Sequence, residues 1–189
     1  MNSIFIERMF NMQRKSIIIG IGLVAVALGV FLFTGGNDKT VKSETAKDIK
    51  QLVQDYSLRN ITAQSASITS QQLIVTAENS EKSTYDLPDD EFFLSIAPFV
   101  ENTHPCEIHS LTGCQGEMVN QEFDVYVVDE KGNTVLDQKM SSQANGFVDL
   151  WLPRDQTYQV TIEHEGKTAK SEISTFKDDN TCITTMQLS

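Results

Sequence analysis

The chain has 189 residues, a net charge of −11 and 40% hydrophobic residues, which is enough apolar material for a buried core. The first 36 residues carry three basic groups and one acidic group, so residues 37–189 carry a net charge of −13. Nucleic-acid binding requires clustered Lys and Arg against the phosphates, so this acidity excludes a nucleic-acid partner. We interpret the charge as a surface that keeps an exposed domain in solution.

An unbroken apolar run from Ile17 to Phe33 lies near the N terminus, and three basic residues precede it. As a helix, residues 17–36 would be roughly 30 Å long, about one hydrocarbon thickness. The positive-inside bias keeps the basic end in the cytoplasm and exports the remainder. We predict that residues 1–36 are a single membrane anchor rather than a cleaved signal segment, because the run is long and has no Ala-x-Ala-like exit. With either outcome the remainder is extracytoplasmic: it is membrane-anchored, or secreted or periplasmic after cleavage.

The next segment predicts a short tether and a small α+β domain. Residues 37–42 are polar and form the predicted tether. Apolar residues then recur at helical spacing from Ser43 to Ser57, which predicts one amphipathic helix. Short β-rich runs bounded by turn residues follow, and we predict strands at Ser67–Thr69, Leu73–Ala77 and Thr84–Leu87. We therefore expect a domain over residues 43–91.

Residues 92–189 have an almost purely β pattern. Phe92 to Val100 is a strongly apolar strand, and Asn145-Gly146 is a strong signal for a tight turn. About seven short strands follow one another with turn residues between them, and the last predicted strand is Thr181–Leu188. The fold class is therefore mainly β, with a C-terminal antiparallel β-sandwich of immunoglobulin-like type behind the small α+β domain.

The candidate functional residues are three cysteines with two nearby histidines. An eleven-residue stretch from His104 to Cys114 holds two of the three cysteines and two of the three histidines. The third cysteine, Cys182, lies in the last predicted strand. In an oxidising compartment cysteines usually pair, so an odd number leaves one to stay free, bind a metal or pair with another chain.

A shared metal ion is one interpretation of these cysteines. Metal–sulfur bonds of about 2.3 Å bring neighbouring thiolates to roughly 4 Å, so the loop that carries Cys106 and Cys114 must fold back on itself. In an extended strand Cys182 and Met186 point to the same face, so the Met186 thioether or a histidine is expected nearby. Three thiolates favour Cu(I), with zinc or iron as alternatives, and sulfurs this close could also reduce Cu(II) or Fe(III).

A structural disulfide is the alternative interpretation. Cys106 and Cys114 would close a loop, and Cys182 would be a buried small hydrophobe. His104 and His109 would then be ordinary surface histidines, and we expect His164 to be solvated in an exposed hairpin. The corresponding function is a disulfide-stapled cell-surface adhesion or interaction module without a metal.

Four motifs in one order resemble the signature of the CueP family of periplasmic copper-resistance proteins. They are Thr103-His104-Pro105-Cys106-Glu107-Ile108-His109-Ser110-Leu111-Thr112-Gly113-Cys114-Gln115-Gly116-Glu117, Asn145-Gly146-Phe147, Trp151-Leu152-Pro153-Arg154-Asp155 and Thr181-Cys182-Ile183-Thr184-Thr185. The strong likeness covers residues from about Phe92 to the C terminus, roughly half the chain. The predicted anchor departs from the soluble periplasmic members of the family.

The resemblance implies copper binding through Cys106, Cys114 and Cys182, with His104 and His109 as auxiliary residues. It also implies that the thiols reduce Cu(II), and in some settings Fe(III), which makes an enzymatic role uncertain because two thiols supply only two electrons. The implied partners are copper ions and proteins that accept copper or supply reductant. The sequence leaves a homodimer open.

Overall fold

A computed structural model describes residues 38–40 and 46–189 of the chain. The predicted anchor, residues 1–36, lies outside the described part. Among the described residues, no helix is long and apolar enough to cross a membrane. Residues 37–189 form one compact unit. The elements are β1 (Asp38–Thr40), α1 (Ala46–Ser57), β2 (Ser65–Ile68), β3 (Gln72–Thr76), β4 (Lys82–Asp86), β5 (Glu91–Ile96), β6 (His109–Ser110), β7 (Glu122–Asp129), β8 (Thr134–Ser141), β9 (Val148–Pro153), β10 (Thr157–His164), β11 (Lys167–Ser174) and β12 (Cys182–Ile183).

The strands form three sheets. A five-stranded sheet has the order β1-β4-β3-β2-β6, a four-stranded sheet the order β11-β10-β7-β8, and a three-stranded sheet the order β12-β5-β9. β1 lies within the predicted tether and pairs in parallel with β4. The mainly β class is therefore confirmed, and the predicted helix is present as α1. The domain limits at residues 42 and 91 stay predictions.

The three-stranded sheet lies between two hydrophobic cores. On β5, Phe92, Leu94 and Ile96 belong to a core that also takes its side chains from the four-stranded sheet. Phe93 points to the opposite face and belongs to a second core, which α1 and the five-stranded sheet complete. A strand that is covered on both faces needs apolar side chains on both, which explains the nearly continuous apolar run of β5.

The helix is amphipathic because one of its stripes closes the second core. Ile49, Val53 and Tyr56 recur at helical spacing and are buried against that core. On the other side of the three-stranded sheet, Val125 and Val160 of the four-stranded sheet pack with Leu150 of β9. The period-two pattern of β7 and β10 follows from this burial, because their alternate residues face the solvent.

The prediction of an immunoglobulin-like strand order is wrong. Seven strands, β5 and β7 to β12, form the two sheets that share the first core, as predicted in number. Taken as A to G in chain order, however, they are arranged F-E-B-C and G-A-D, whereas immunoglobulin domains have A-B-E-D and C-F-G. In addition, β12 pairs with β5 in parallel. Local patterns predict strands and hairpins, but the order in a sheet depends on long-range pairing that they do not encode.

The last strand is shorter than predicted. β12 contains only Cys182 and Ile183, and the chain later pairs with the segment that follows β5 through one parallel bridge between Phe99 and Gln187. Residues 182, 184, 186 and 188 are all buried, but they do not share one face. Met186 lies in the first core, whereas Cys182 packs on the opposite face of the three-stranded sheet. Burial therefore still alternates along residues 182–188, but the buried residues face different cores because the strand pairing stops at Ile183.

Candidate metal centre

A long loop between β5 and β7 carries four of the five predicted site residues, and Glu117 closes its base. The Glu117 carboxylate accepts backbone N–H groups from Val100, Glu101 and Asn102 at 2.9 to 3.3 Å. These hydrogen bonds lower the pKa of Glu117, the one from Asn102 most strongly. The two ends of the loop are thereby joined, so its intermediate residues must fold back on themselves.

The short strand β6 fixes the middle of this loop. His109 pairs with Ile68 and Ser110 pairs with Ser67, which adds β6 to the edge of the five-stranded sheet beside β2. The backbone N–H of His109 also donates to Thr181 Oγ1 at 3.0 Å. The segment before Cys182 and the segment after Cys106 are therefore held together through one hydroxyl.

Cys182 reaches the loop through backbone pairing on both sides of β12. On one side Cys182 is paired with Ser95 of β5. On the other side the N–H groups of Thr181 and Cys182 donate to the carbonyl oxygen of Glu107 at 3.0 and 3.1 Å. The late strand is thus bound directly to the loop residue that follows Cys106. The fold supplies the long-range convergence that the spacing of the cysteines could not predict.

The three sulfurs form one cluster. The Sγ atoms of Cys106 and Cys114 are 3.5 Å apart. The donor atoms of His109, Cys114 and Cys182 all lie within 4.8 Å of one another, and so do those of His104, Cys106 and Cys114. Cys114 belongs to both groups and is the centre of the arrangement. All five predicted site residues are therefore brought together.

The cluster lies at the edge of a buried apolar pocket. Cys182 is 2% exposed and packs with Ala97 and Phe147, while Cys106 and Cys114 are half-buried against the same residues. The cluster is thus shielded on the Cys182 side and accessible on the Cys106 and Cys114 side. An ion could arrive from solvent and lose most of its hydration shell on binding.

Of the three thiols, Cys114 is the one that ionises most readily. Hydrogen bonding, most strongly from Cys182 and next from His109, lowers the pKa of Cys114 to about 2, and the Ser110 N–H, 3.4 Å from its sulfur, adds to this effect. Burial raises the pKa of Cys106 to about 11. The pKa of Cys182 is raised, first by its hydrogen bond to Cys114 and then by burial. Like charges this close cannot all form, so the first thiolate forms on Cys114 and disfavours the other two.

The two histidines contact the cluster from different environments. His109 is fully buried, its ring lies 4.5 Å from that of Phe147, and its Nδ1 is 3.5 Å from Cys182 Sγ. His104 is half-buried, and its ring meets Phe147 edge-on at 6.3 Å. The expectation of ordinary surface histidines is therefore wrong for His109.

Two further expectations need correction. A histidine or the Met186 thioether was expected near the thiols; His109 is there, whereas the Met186 side chain lies in the first core, outside the Cys182 cluster. His164 was expected to be solvated, but its side chain is only 13% exposed, its Nδ1 is 2.8 Å from the carbonyl oxygen of Glu122, and its ring packs on Phe123.

Two polar residues behind the cluster were missed by the sequence analysis. Ser95 is fully buried, with its Oγ 3.3 Å from His109 Nε2, and it donates to Asp149 at 2.6 Å. A signal was available, because Ser95 is the one polar residue in the apolar run from Phe92 to Ala97. A hydroxyl in a strand buried on both faces must find a partner.

Comparison with known proteins identifies the family of this chain. The model of the family described as "Periplasmic copper-binding protein CueP" matches residues 48–187. A solved structure described as "Crystal Structure of S.CueP" is 40% identical in sequence, with a TM-score of 0.70, over 75% of this chain and 88% of that one. The search of curated proteins finds no significant match. With most of its length matched by the family model, the chain belongs to the CueP family of periplasmic copper-binding proteins.

Proposed function

We propose that this protein binds copper outside the cytoplasm, as Cu(I), through the thiolates of Cys106, Cys114 and Cys182. His104 and His109 act as auxiliary residues. The observation that carries the proposal is the convergence of three sulfurs from separate parts of the chain, with Cys114 common to both groups of donor atoms. Membership of a family described as periplasmic and copper-binding supports the metal and the compartment.

The chemistry of the donor set favours Cu(I). Thiolates are soft ligands that select Cu(I), zinc or iron–sulfur centres, and imidazole adds affinity for copper and zinc. One preformed thiolate beside two neutral thiols matches the single charge of a soft monovalent cation. The first metal–sulfur bond also forms without deprotonation of a thiol. Zinc and iron remain the alternative metals, and a competition experiment with copper distinguishes them.

The same thiols would reduce Cu(II). Cys106 and Cys114 have their sulfurs 3.5 Å apart, so a small movement brings them to bonding distance. Oxidation of the Cys106 thiol and the Cys114 thiolate forms one S–S bond and releases one proton and two electrons, which convert two Cu(II) ions into two Cu(I) ions. Continued reduction then requires an external dithiol that reduces the disulfide again. We accordingly propose a copper-resistance role with reductant and copper-accepting partner proteins rather than a conventional enzyme.

A Cu(I) titration of the reduced protein against a chromophoric chelator, without air, tests the proposal. We expect Cys182→Ser to weaken Cu(I) binding more than about tenfold, which corresponds to roughly 1.4 kcal/mol. Met186→Leu is the matched control, because it removes a sulfur that lies in the first core, outside the cluster, and conserves volume. Its affinity should equal that of the wild type. Equal affinity of the wild type and a variant with all three cysteines changed to serine would contradict the proposal.

A further inference from the structure

Three side chains form a row across the three-stranded sheet beside the thiol cluster. Asp149 of β9 is directly opposite Ser95 of β5, and Ser95 is paired with Cys182 of β12. Residues paired in register have their side chains on the same face of the sheet. The His109 ring lies over this row, with Nε2 3.3 Å from Ser95 Oγ and Nδ1 3.5 Å from Cys182 Sγ. The sheet therefore connects a carboxylate to the thiols through one hydroxyl and one imidazole.

The direction of each hydrogen bond follows from the groups involved. A carboxylate can only accept, so Ser95 donates its single hydroxyl proton to Asp149 Oδ1 at 2.6 Å. Ser95 Oγ then has only lone pairs for its other neighbour, and Nε2 of His109 must be the donor in that contact. A neutral imidazole carries one proton. With that proton on Nε2, the Nδ1 atom of the neutral ring has a free lone pair facing Cys182. Only the imidazolium form would also donate from Nδ1, to the Cys114 thiolate.

The Asp149 carboxylate is itself held in position. Its Oδ2 accepts from Ser57 Oγ at the end of α1 at 2.8 Å and from Gln143 Nε2 at 3.0 Å. Ser57, Ser95 and His109 are all fully buried. The carboxylate therefore has three donors around it, from α1, β5 and the segment before β9, and Ser95 is the donor to Oδ1 while the other two share Oδ2.

We propose that Ser95 and Asp149 are positioning residues that hold His109 as its Nε2–H tautomer and so make Nδ1 a nitrogen ligand beside the three sulfurs. This inference rests on the proposed copper site. Outer partners of metal-binding histidines act in this way, fixing the tautomer and the ring orientation. Among the described residues, Asp149 makes no hydrogen bond to His109. Its effect on the ring is therefore transmitted by the hydroxyl of Ser95, which contacts both. The site is thus a sulfur cluster with one preoriented imidazole.

The direct test is the protonation pattern of His109 in the reduced, metal-free protein. In a His104→Gln/His164→Gln background only His109 remains, and two-bond ¹⁵N–¹H correlations identify its protonated nitrogen. At alkaline pH we expect the proton on Nε2 and an unprotonated Nδ1. With Ser95→Ala, Nε2 loses its acceptor, and the proton should move to Nδ1, which still faces the sulfurs. A protonated Nδ1 in the protein that retains Ser95 would overturn the proposal, and this measurement requires no variant of the network.

A matched control separates positioning from stability. Ser57→Ala also removes a buried hydroxyl that donates to Asp149, but Ser57 donates to the other oxygen of that carboxylate. We expect Ser57→Ala to keep the Nε2–H tautomer and the Cu(I) affinity. Ser95→Ala should weaken Cu(I) binding by roughly 10- to 100-fold. Equal effects of the two variants on tautomer and affinity would show a purely structural role.

The two proposals fail in different ways. If the wild-type protein binds no Cu(I), the copper site is refuted, whatever tautomer His109 adopts. If Cu(I) binds through the cysteines while Nδ1 of His109 is protonated in the metal-free protein, only the positioning role of Ser95 and Asp149 is refuted.

Discussion

The charge of the thiol cluster is concentrated on Cys114 because this sulfur receives the most hydrogen bonds. The thiol of Cys182, the His109 ring, the Ser110 N–H and the thiol of Cys106 all stabilise its anion. Cys182 is the most buried of the three and is the least able to ionise. For the proposed copper site we therefore expect an order of binding, in which the preformed thiolate makes the first bond and the other two sulfurs lose their protons to the solvent as they bind.

This charge distribution predicts a pH-dependent contribution of Cys114 to stability. Its pKa is about 2 in the folded protein and near 8.5 in an unfolded chain, so between these values the unfolded state binds one proton more. The contribution of Cys114 to the free energy of unfolding therefore increases from acid pH and is complete above about pH 8.5. Urea unfolding of reduced wild type and Cys114→Ser should show a difference that grows between about pH 5 and pH 8.5.

The opposite sign is expected for Cys106. Its pKa is raised to about 11, so its contribution is complete below about pH 8.5 and is lost as the pH rises toward 11. Cys106→Ser therefore serves as the control in the same experiment, with a stability difference that shrinks on the alkaline side. A pH-independent difference for both variants would contradict this charge distribution.

At the scale of elements, the loop that follows Cys114 is locked to the turn before β9. The N–H of Gly116 donates to the carbonyl oxygen of Asn145 at 2.7 Å. A Cβ atom added at Gly116 would lie 2.6 Å from the carbonyl oxygen of Gly146, and the reverse substitution meets the same obstacle. Gly146 also has a φ of 79°, which favours glycine. This close backbone contact positions Cys114 relative to Phe147 and Ala97.

Gly116→Ala is expected to destabilise the protein by about 2 kcal/mol, the range of overpacking in a tight contact. The obstacle is a backbone carbonyl oxygen, which cannot rotate away. Gly113→Ala in the same loop is the matched control, because its added Cβ meets the side-chain oxygen of Ser110, which can rotate. We expect a change of about 0.5 kcal/mol for this exposed position. Urea unfolding measures both, and equal effects would show that the Gly116–Gly146 contact is unimportant.

Local pattern predicted the elements well and their partners poorly. The helix from Ala46, the apolar β5 and the turn at Asn145-Gly146 all follow from periodicity or turn chemistry, which act over a few residues. The pairing of β6 with β2 joins residues about 40 positions apart, and no short pattern specifies it. The two-residue length of β12 was missed for the same reason.

At the scale of the whole molecule, the candidate site lies where separate sheets meet. The three-stranded sheet supplies Cys182 and the five-stranded sheet supplies His109, while the segments on either side of β6 supply Cys106 and Cys114. The residue types of the site could be predicted from the sequence, because few residue types bind soft metals. The network that supports these residues could not be predicted, because Ser95 and Asp149 are brought together only by the pairing register of β5 and β9.

X-ray absorption at the copper edge of the Cu(I)-loaded, reduced protein tests the convergence of these elements most directly. We predict three sulfur neighbours at about the 2.3 Å typical of metal–thiolate bonds. Cys182→Ser should reduce the sulfur count to two, while Met186→Leu should leave it at three. A two-sulfur site in the wild type that Cys182→Ser does not change would contradict the three-thiolate centre.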